Sequence, residues 1–214
     1  MNKTSAQTAD ILLSIGAISI NPKKPFRYTS GLLSPVYSDL RLLMSYPKQR
    51  RQVVDAWIKL IKKQGKFDLI AATATAGIPH GAWISDQMNL PMVYVRSEAK
   101  KHGKQNQIEG LVKKGQKAVV VEDLISTAGS SLETLRAIKK AGGKVNDIVA
   151  IFSYTLPQSA KNLSTAKVNL ITLTTFPDVV KRAAEKKILK TSEQDLVLDW
   201  LADSAGWGKR HKFE

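Results

Sequence analysis

Val119, Val120 and Val121 form an apolar, β-branched run that ends in two adjacent carboxylates, Glu122 and Asp123. Leu124 and Ile125 follow, then a loop of small residues (Ser126, Thr127, Ala128, Gly129), then Ser130, Ser131 and a helical pattern from Leu132. A short β-branched run of this kind reads as a buried strand. A strand that empties through a small-residue loop into a helix directs backbone N–H groups and the helix N-terminus at one point, which makes an anion site. Carboxylates just ahead of a phosphate would repel it, so something neutral must lie between them. A sugar phosphate has that layout, with hydroxyls for the acids and a phosphate for the amides, and ribose 5-phosphate is an example. The competing reading, an ordinary buried strand and turn, leaves an acid pair at the strand end unexplained. The stretch is not a P-loop, which needs G-x-x-x-x-G-K-[ST], and with Gly129 alone it is not G-x-G-x-x-G either.

A second junction of the same kind precedes it. Phe67, Leu69, Ile70, Ala71 and Ala72 read as a buried strand, followed by Thr73, Thr75, Ala76 and Gly77 and a helix over about 80–88. Two such loops in one sheet can divide a phosphate and a diphosphate between them. Next come a strand over 90–96 and a segment, 97–110, without apolar periodicity and rich in Lys, Gln, Gly and Asn. A loop that long inside a compact fold reads as a lid. It carries Arg96, Lys100, Lys101, His102 and Lys104, cations suited to an anionic leaving group.

Around these lie a short helix over 10–18 and a hairpin-like hood over 25–41 with a turn at Ser30 and Gly31. An amphipathic helix over 47–63 and a helix over 132–141 follow, with strands over 147–155 and 168–176. Pro177 breaks the last strand, 179–189 is helical, and Thr191 to Gln194 read as a capping box for a final helix to about 201. The tail 206–214 is basic and reads as mobile, unless Trp200 and Trp207 pack back. Strands alternating with helices predict an α/β fold, a parallel twisted sheet with helices on both faces. The expectation is one domain over 1–214, with the hood formed mainly by 1–45.

Length is ample for a core at 214 residues. No apolar run approaches the roughly 18 residues of a membrane span, and no secretory h-region follows Met1. The chain has no cysteine, hence no disulfide framework, and the expected location is cytoplasmic. The net charge of +15 raises nucleic acid as a partner. The cations are dispersed, however, without a stripe of interleaved aromatics, and neither nucleic acid nor membrane is expected.

Taken together, these residues resemble the orotate phosphoribosyltransferases, within the type I phosphoribosyltransferase family, over nearly the whole chain. The resemblance rests on Pro25 and Phe26, Ser30 and Gly31, Ser34, Pro35, Val36 and Tyr37 in the hood, and 73–79. It rests equally on Tyr94, Val95 and Arg96, on Lys100 with His102 and Gly103, and on 122–131. It implies transfer of ribose 5-phosphate from phosphoribosyl diphosphate (PRPP) to orotate, with Mg²⁺ held mainly by PRPP and water and no dedicated protein metal site. Glu122 and Asp123 would take the ribose hydroxyls, with Leu124 and Ile125 in the same PRPP-binding stretch. Thr127, Ala128, Gly129 and Ser130 would wrap the 5-phosphate, and Ser126 would lie beside orotate. Arg96, Lys100 and His102 would meet the diphosphate, as would Thr75, Ala76 and Gly77 through a strained, non-proline cis peptide. Lys100 and Asp123 are the implied catalytic residues. A homodimer sharing its lids across subunits is also implied.

The chain departs from part of that family at four places, where Thr29, Ala76, Ser97 and Tyr154 stand in for cations. Val36 and Tyr37 are the implied orotate neighbours, and Arg41 is the candidate for the missing orotate-carboxylate cation. Transfer to another nucleobase, or a non-catalytic ligand-sensing relative, are the rival readings.

Overall fold

A computed structural model describes residues 1–28, 31–97 and 107–213. Ser30 of the expected turn, Thr29 before it, and Lys100, Lys101, His102 and Lys104 of the expected lid lie outside the described residues.

The chain begins with α1 (Lys3–Ser14), where the Asn2 side chain accepts the Ser5 N–H at 2.8 Å. This cap starts the helix well before residue 10, and it ends at Ser14, with 18–20 belonging to a strand instead. Four short strands follow: β1 (Ile18–Ile20), β2 (Phe26–Arg27), β3 (Leu33–Ser34) and β4 (Val36–Ser38). They form two antiparallel ribbons, β1 with β4 and β2 with β3, where the sequence reads as one hairpin. A 3₁₀ turn (Leu40–Ser45) leads into α2 (Pro47–Lys63), whose buried stripe of Val53, Val54, Trp57, Ile58 and Ile61 matches its 3.6-residue period.

The central part comprises β5 (Leu69–Thr73), α3 (Gly77–Met88), β6 (Met92–Val95), β7 (Ile108–Glu109), β8 (Ala118–Ile125), α4 (Gly129–Lys140) and β9 (Asp147–Ser153). After β9 come α5 (Pro157–Ala166), β10 (Asn169–Thr175), α6 (Phe176–Glu185), a 3₁₀ turn (Thr191–Glu193), α7 (Gln194–Asp199) and α8 (Trp207–Arg210). The sheet runs β10-β9-β8-β5-β6-β7, parallel throughout except for β7, which turns back on β6. Side chains alternate across it. On β8, Val119 and Val121 enter the core shared with α1, α2, α3 and α6, while Ala118 and Val120 enter the one shared with α4 and α5. Strands buried on both faces read as continuous apolar runs, as they do here.

The boundaries differ from the expected ones in physically readable ways. Pro177 does not merely end a strand; it occupies the first turn of α6, where its missing N–H costs nothing. The final capping box is shifted by one residue, with the Lys190 N–H donating to the Glu193 carboxylate at 3.2 Å. The C-terminal segment is docked, with Trp207 fully buried and Phe213 stacked on it at 5.1 Å between centroids. Trp200 donates its indole N–H to the Leu33 carbonyl at 3.1 Å, tying this segment to β3.

Candidate active site

Parallel strands leave their loops at one edge of the sheet, and β5, β6 and β8 are consecutive in the sheet order β8-β5-β6. The two strand–loop–helix junctions therefore lie side by side, where open α/β sheets place their ligands. β8 extends through the acid pair to Ile125, so Glu122 and Asp123 are strand residues, 5% and 7% exposed. One Glu122 oxygen accepts hydroxyls of both Ser130 and Ser131 at 3.1 Å each, which fixes the first turn of α4 against the strand. The Asp123 carboxylate accepts the N–H of Leu124 at 2.8 Å.

Both carboxyls are pushed upward. Burial does most of this for Glu122, up to about 8, and the Asp123 charge adds to it. Burial likewise raises Asp123, against which the Arg41 charge pulls weakly downward. Two buried acids short of counter-charge suit a partner that brings hydroxyl donors or a cation.

The loop after β8 presents Ser126 and Thr127 to solvent, and Ala128 takes a left-handed conformation at φ 66°. Leu132 closes the first helical hydrogen bond, to the Ala128 carbonyl at 3.0 Å. The N–H groups of Gly129, Ser130 and Ser131 stand ahead of that ladder, as at any helix N-terminus. Asn162 on α5 donates to the Thr127 carbonyl at 2.9 Å and holds the loop in place. Leu124 is half-buried and Ile125 wholly buried, so Ile125 supports the loop from the core.

At the second junction the Ala74–Thr75 peptide is cis. Thr75 is exposed, Ala76 half-buried and Gly77 buried. A Cβ on Gly77 would stand 2.8 Å from the Val121 carbonyl and 3.7 Å from a Glu122 oxygen, so only glycine lets α3 start this close to β8. Thr134 on α4 donates to Thr73 at 3.0 Å, linking the two junctions beneath their loops. Arg96 follows β6 directly, 3.8 Å from Glu109 and bonded through its backbone to Gln107. The brief β7 that aligns these residues has too few positions to show a period.

In the hood, the side chain of Val36 is fully buried, and its carbonyl accepts Tyr28 and Ser34 hydroxyls at 2.8 Å. Tyr37 is exposed beside Phe26. Arg41 forms a two-point pair with Asp39, Nε to Oδ1 at 2.7 Å and Nη2 to Oδ2 at 3.0 Å. Sequence reasoning misses Asp39, because a partner two residues away carries no helical or strand periodicity. Tyr154 sits in a buried aromatic cluster with Phe152, Phe176 and Trp200. Among the described residues no group of three or more His, Cys, Asp or Glu could hold a metal by itself, and no helix is long and apolar enough to cross a membrane.

Against this geometry, comparison with known proteins is specific. A family model for the phosphoribosyl transferase domain matches residues 46–187. The orotate phosphoribosyltransferase of Coxiella burnetii is 47% identical over 208 residues, covering 97% of this chain and 99% of that protein. The enzyme of the same name from Listeria innocua is 46% identical over 204 residues, 95% of this chain and 98% of its own. Among solved structures, orotate phosphoribosyltransferase from Aeropyrum pernix superposes with a TM-score of 0.72 at 25% identity, over 83% of this chain and 98% of that one.

Proposed function

The chain belongs to the orotate phosphoribosyltransferases, and we propose that the residues gathered at the ends of β5, β6 and β8 perform that family's reaction. In it, ribose 5-phosphate passes from PRPP to N1 of orotate, giving orotidine 5′-monophosphate and diphosphate in pyrimidine nucleotide synthesis. The observation that carries the assignment of roles is the buried acid pair lying between two anion-accepting loops on neighbouring parallel strands.

The N-terminus of α4, with Thr127, Ala128, Gly129 and Ser130, takes the 5-phosphate on backbone N–H groups. Asp123, less engaged than Glu122 within the protein, accepts the ribose hydroxyls; Glu122 supports it while holding the α4 serines. Thr75, Ala76 and Gly77 with Arg96 receive the diphosphate, together with Lys100 and His102 from the lid. Ser126 borders the base. Arg41 reaches the orotate carboxylate: Asp39 occupies its Nε–Nη2 edge, which leaves Nη1 and the second Nη2 proton for another planar acceptor. Val36 contributes to the base site through its backbone and Tyr37 through its ring.

As the C1–oxygen bond breaks, positive charge grows on the ribose and negative charge on the departing diphosphate. The carboxylates oppose the first and the cations the second, and both are placed before the reaction begins. The N1–C1 bond then forms and the N1 proton is lost. Mg²⁺ fits the donor set, since two carboxylates without a third ligand suit a cation held mostly by substrate oxygens and water; when bound, it adds positive charge against the leaving group. We read 1–214 as one catalytic domain with its hood, acting in the cytoplasm as a homodimer whose lids cross between subunits.

The direct test mixes protein, Mg²⁺, PRPP and orotate and follows the fall in orotate absorbance. Loss of absorbance that requires both PRPP and protein is the expected result. Consumption of adenine, hypoxanthine or uracil in preference to orotate would overturn the assignment.

A further inference from the structure

Two amides, Gln158 and Asn162, lie one turn apart on the same side of α5. The Gln158 amide donates to Oδ1 of Asn162 at 2.8 Å, and Nδ2 of Asn162 donates to the Thr127 carbonyl at 2.9 Å. With its oxygen turned to Gln158, Asn162 presents its N–H group, and not its oxygen, to the loop after β8. Leu163, next along the helix, is buried in the same core as Leu132 and Leu135 of α4, so the amide is mounted on a fixed element.

This bond sets the direction of one peptide group. The Thr127–Ala128 peptide is trans, so its C=O and N–H point opposite ways. Holding the carbonyl on α5 turns the Ala128 N–H away from α5, and no group among the described residues accepts it. It stands directly ahead of the N–H groups of Gly129, Ser130 and Ser131, where α4 begins. A half-turn of the same peptide about its flanking bonds would exchange its two ends and put an oxygen where the N–H stands. A row of N–H groups attracts an anion, and an oxygen in that row repels it.

Left unrestrained, the loop favours that exchange. Ala128 holds φ 66° and ψ 12°, a left-handed conformation that residues other than glycine adopt against steric resistance. The half-turn carries its φ to the negative side, where alanine is unstrained. The bond from the Leu132 N–H to the Ala128 carbonyl does not choose between the two arrangements, because it grips the next peptide along. The Asn162 amide does choose, since it holds the Thr127 carbonyl itself.

We infer that Asn162, oriented by Gln158, is a positioning residue for PRPP, locking the Thr127–Ala128 peptide with its N–H towards the 5-phosphate. The inference rests on the placement of that phosphate at the start of α4 given above. Steady-state kinetics of the full-length protein with PRPP, Mg²⁺ and orotate tests it, with circular dichroism as the folding check. Asn162→Ala, and Asn162→Asp, which keeps the size but loses the donor, should raise KM for PRPP about three- to tenfold, as the competent loop population falls with the loss of one hydrogen bond. The kcat at saturating PRPP and the KM for orotate should not change. A residue that only supported the fold would lower kcat through the active fraction and leave KM for PRPP alone. Ala128→Gly added to Asn162→Ala should lower KM for PRPP again, because glycine takes positive φ without strain; a further rise would contradict the peptide exchange. A wild-type KM for PRPP in folded Asn162→Ala and Asn162→Asp would overturn the lock and leave the phosphate placement standing. Wild-type PRPP affinity in Gly129→Asp would remove that placement itself.

Discussion

At the scale of single residues, His80 is the group most at odds with its surroundings. It lies in α3, 1% exposed, between Trp57 at 5.7 Å and Trp83 at 5.3 Å between ring centres. Neither ring nitrogen has a hydrogen-bond partner among the described residues. Burial pushes the imidazole down from 6.5 to about 4, so it stays neutral at physiological pH. An unpaired buried polar group costs about 1–3 kcal/mol, and a phenyl ring of similar shape carries no such cost. His80→Phe should therefore be at least as stable as wild type in urea unfolding at pH 7. The sign of its pH dependence follows from linkage. As pH falls from 6.5 towards 4 the unfolded chain takes up a proton that folded His80 refuses, so wild type loses stability over that window. The advantage of His80→Phe should widen correspondingly; a gap that stays constant or narrows would contradict a neutral, buried His80. The sequence shows His80 only as one residue near a helix start. Its burial depends on Trp57 from another helix, and no local pattern encodes that.

Among the elements, the two strand–loop–helix junctions are the most legible parts of the chain. Their apolar runs are buried on both faces, and their loops are built from residues too small for anything but close backbone approach. What the local pattern cannot supply is where the helices begin. α4 starts at Gly129 and α3 at Gly77 because tertiary contacts, the serine hydroxyls on Glu122 and the fit of Gly77 on Val121, carry each helix back to its loop. Gly77→Ala tests this: its Cβ would meet the Val121 carbonyl at 2.8 Å, so helix or strand must shift. A loss of about 1–3 kcal/mol is expected from such overpacking, with a larger fractional loss of turnover than of stability. Full turnover in the variant would mean that the approach of α3 to β8 does not shape the site. α5 shows the opposite case. Only Ser159 and Leu163 of its ten residues are buried, so one apolar anchor among polar residues leaves no 3.6-residue period to read. Its role, holding the Thr127 carbonyl through Asn162, is visible only in three dimensions.

Over the whole molecule, the ends of the chain meet around the hood. The charged residues of the C-terminal segment give it the look of a free tail, yet its tryptophans decide its position. Trp207 is fully buried and donates to the Leu196 carbonyl at 2.9 Å, α8 packs on β3, and Trp200 bonds to Leu33. Trp207→Ala should cost about 3–5 kcal/mol in chemical unfolding. A loss below about 1 kcal/mol would show that the segment is not part of the cooperative fold. The +15 charge, by contrast, says little about the fold.

The central claim is that a sugar phosphate sits with its phosphate at the N-terminus of α4 and its hydroxyls against Asp123. Gly129 offers the most direct test. A Cβ there meets nothing nearer than the Thr127 hydroxyl at 3.7 Å, so Gly129→Asp fits, and an acid in the first turn of a helix is itself favourable. Its carboxylate would occupy the space assigned to the phosphate. Titration calorimetry with PRPP and Mg²⁺ should show binding to wild type and at least a hundredfold loss in Gly129→Asp, with unfolding midpoints unchanged. PRPP binding of equal strength to both proteins would contradict the account.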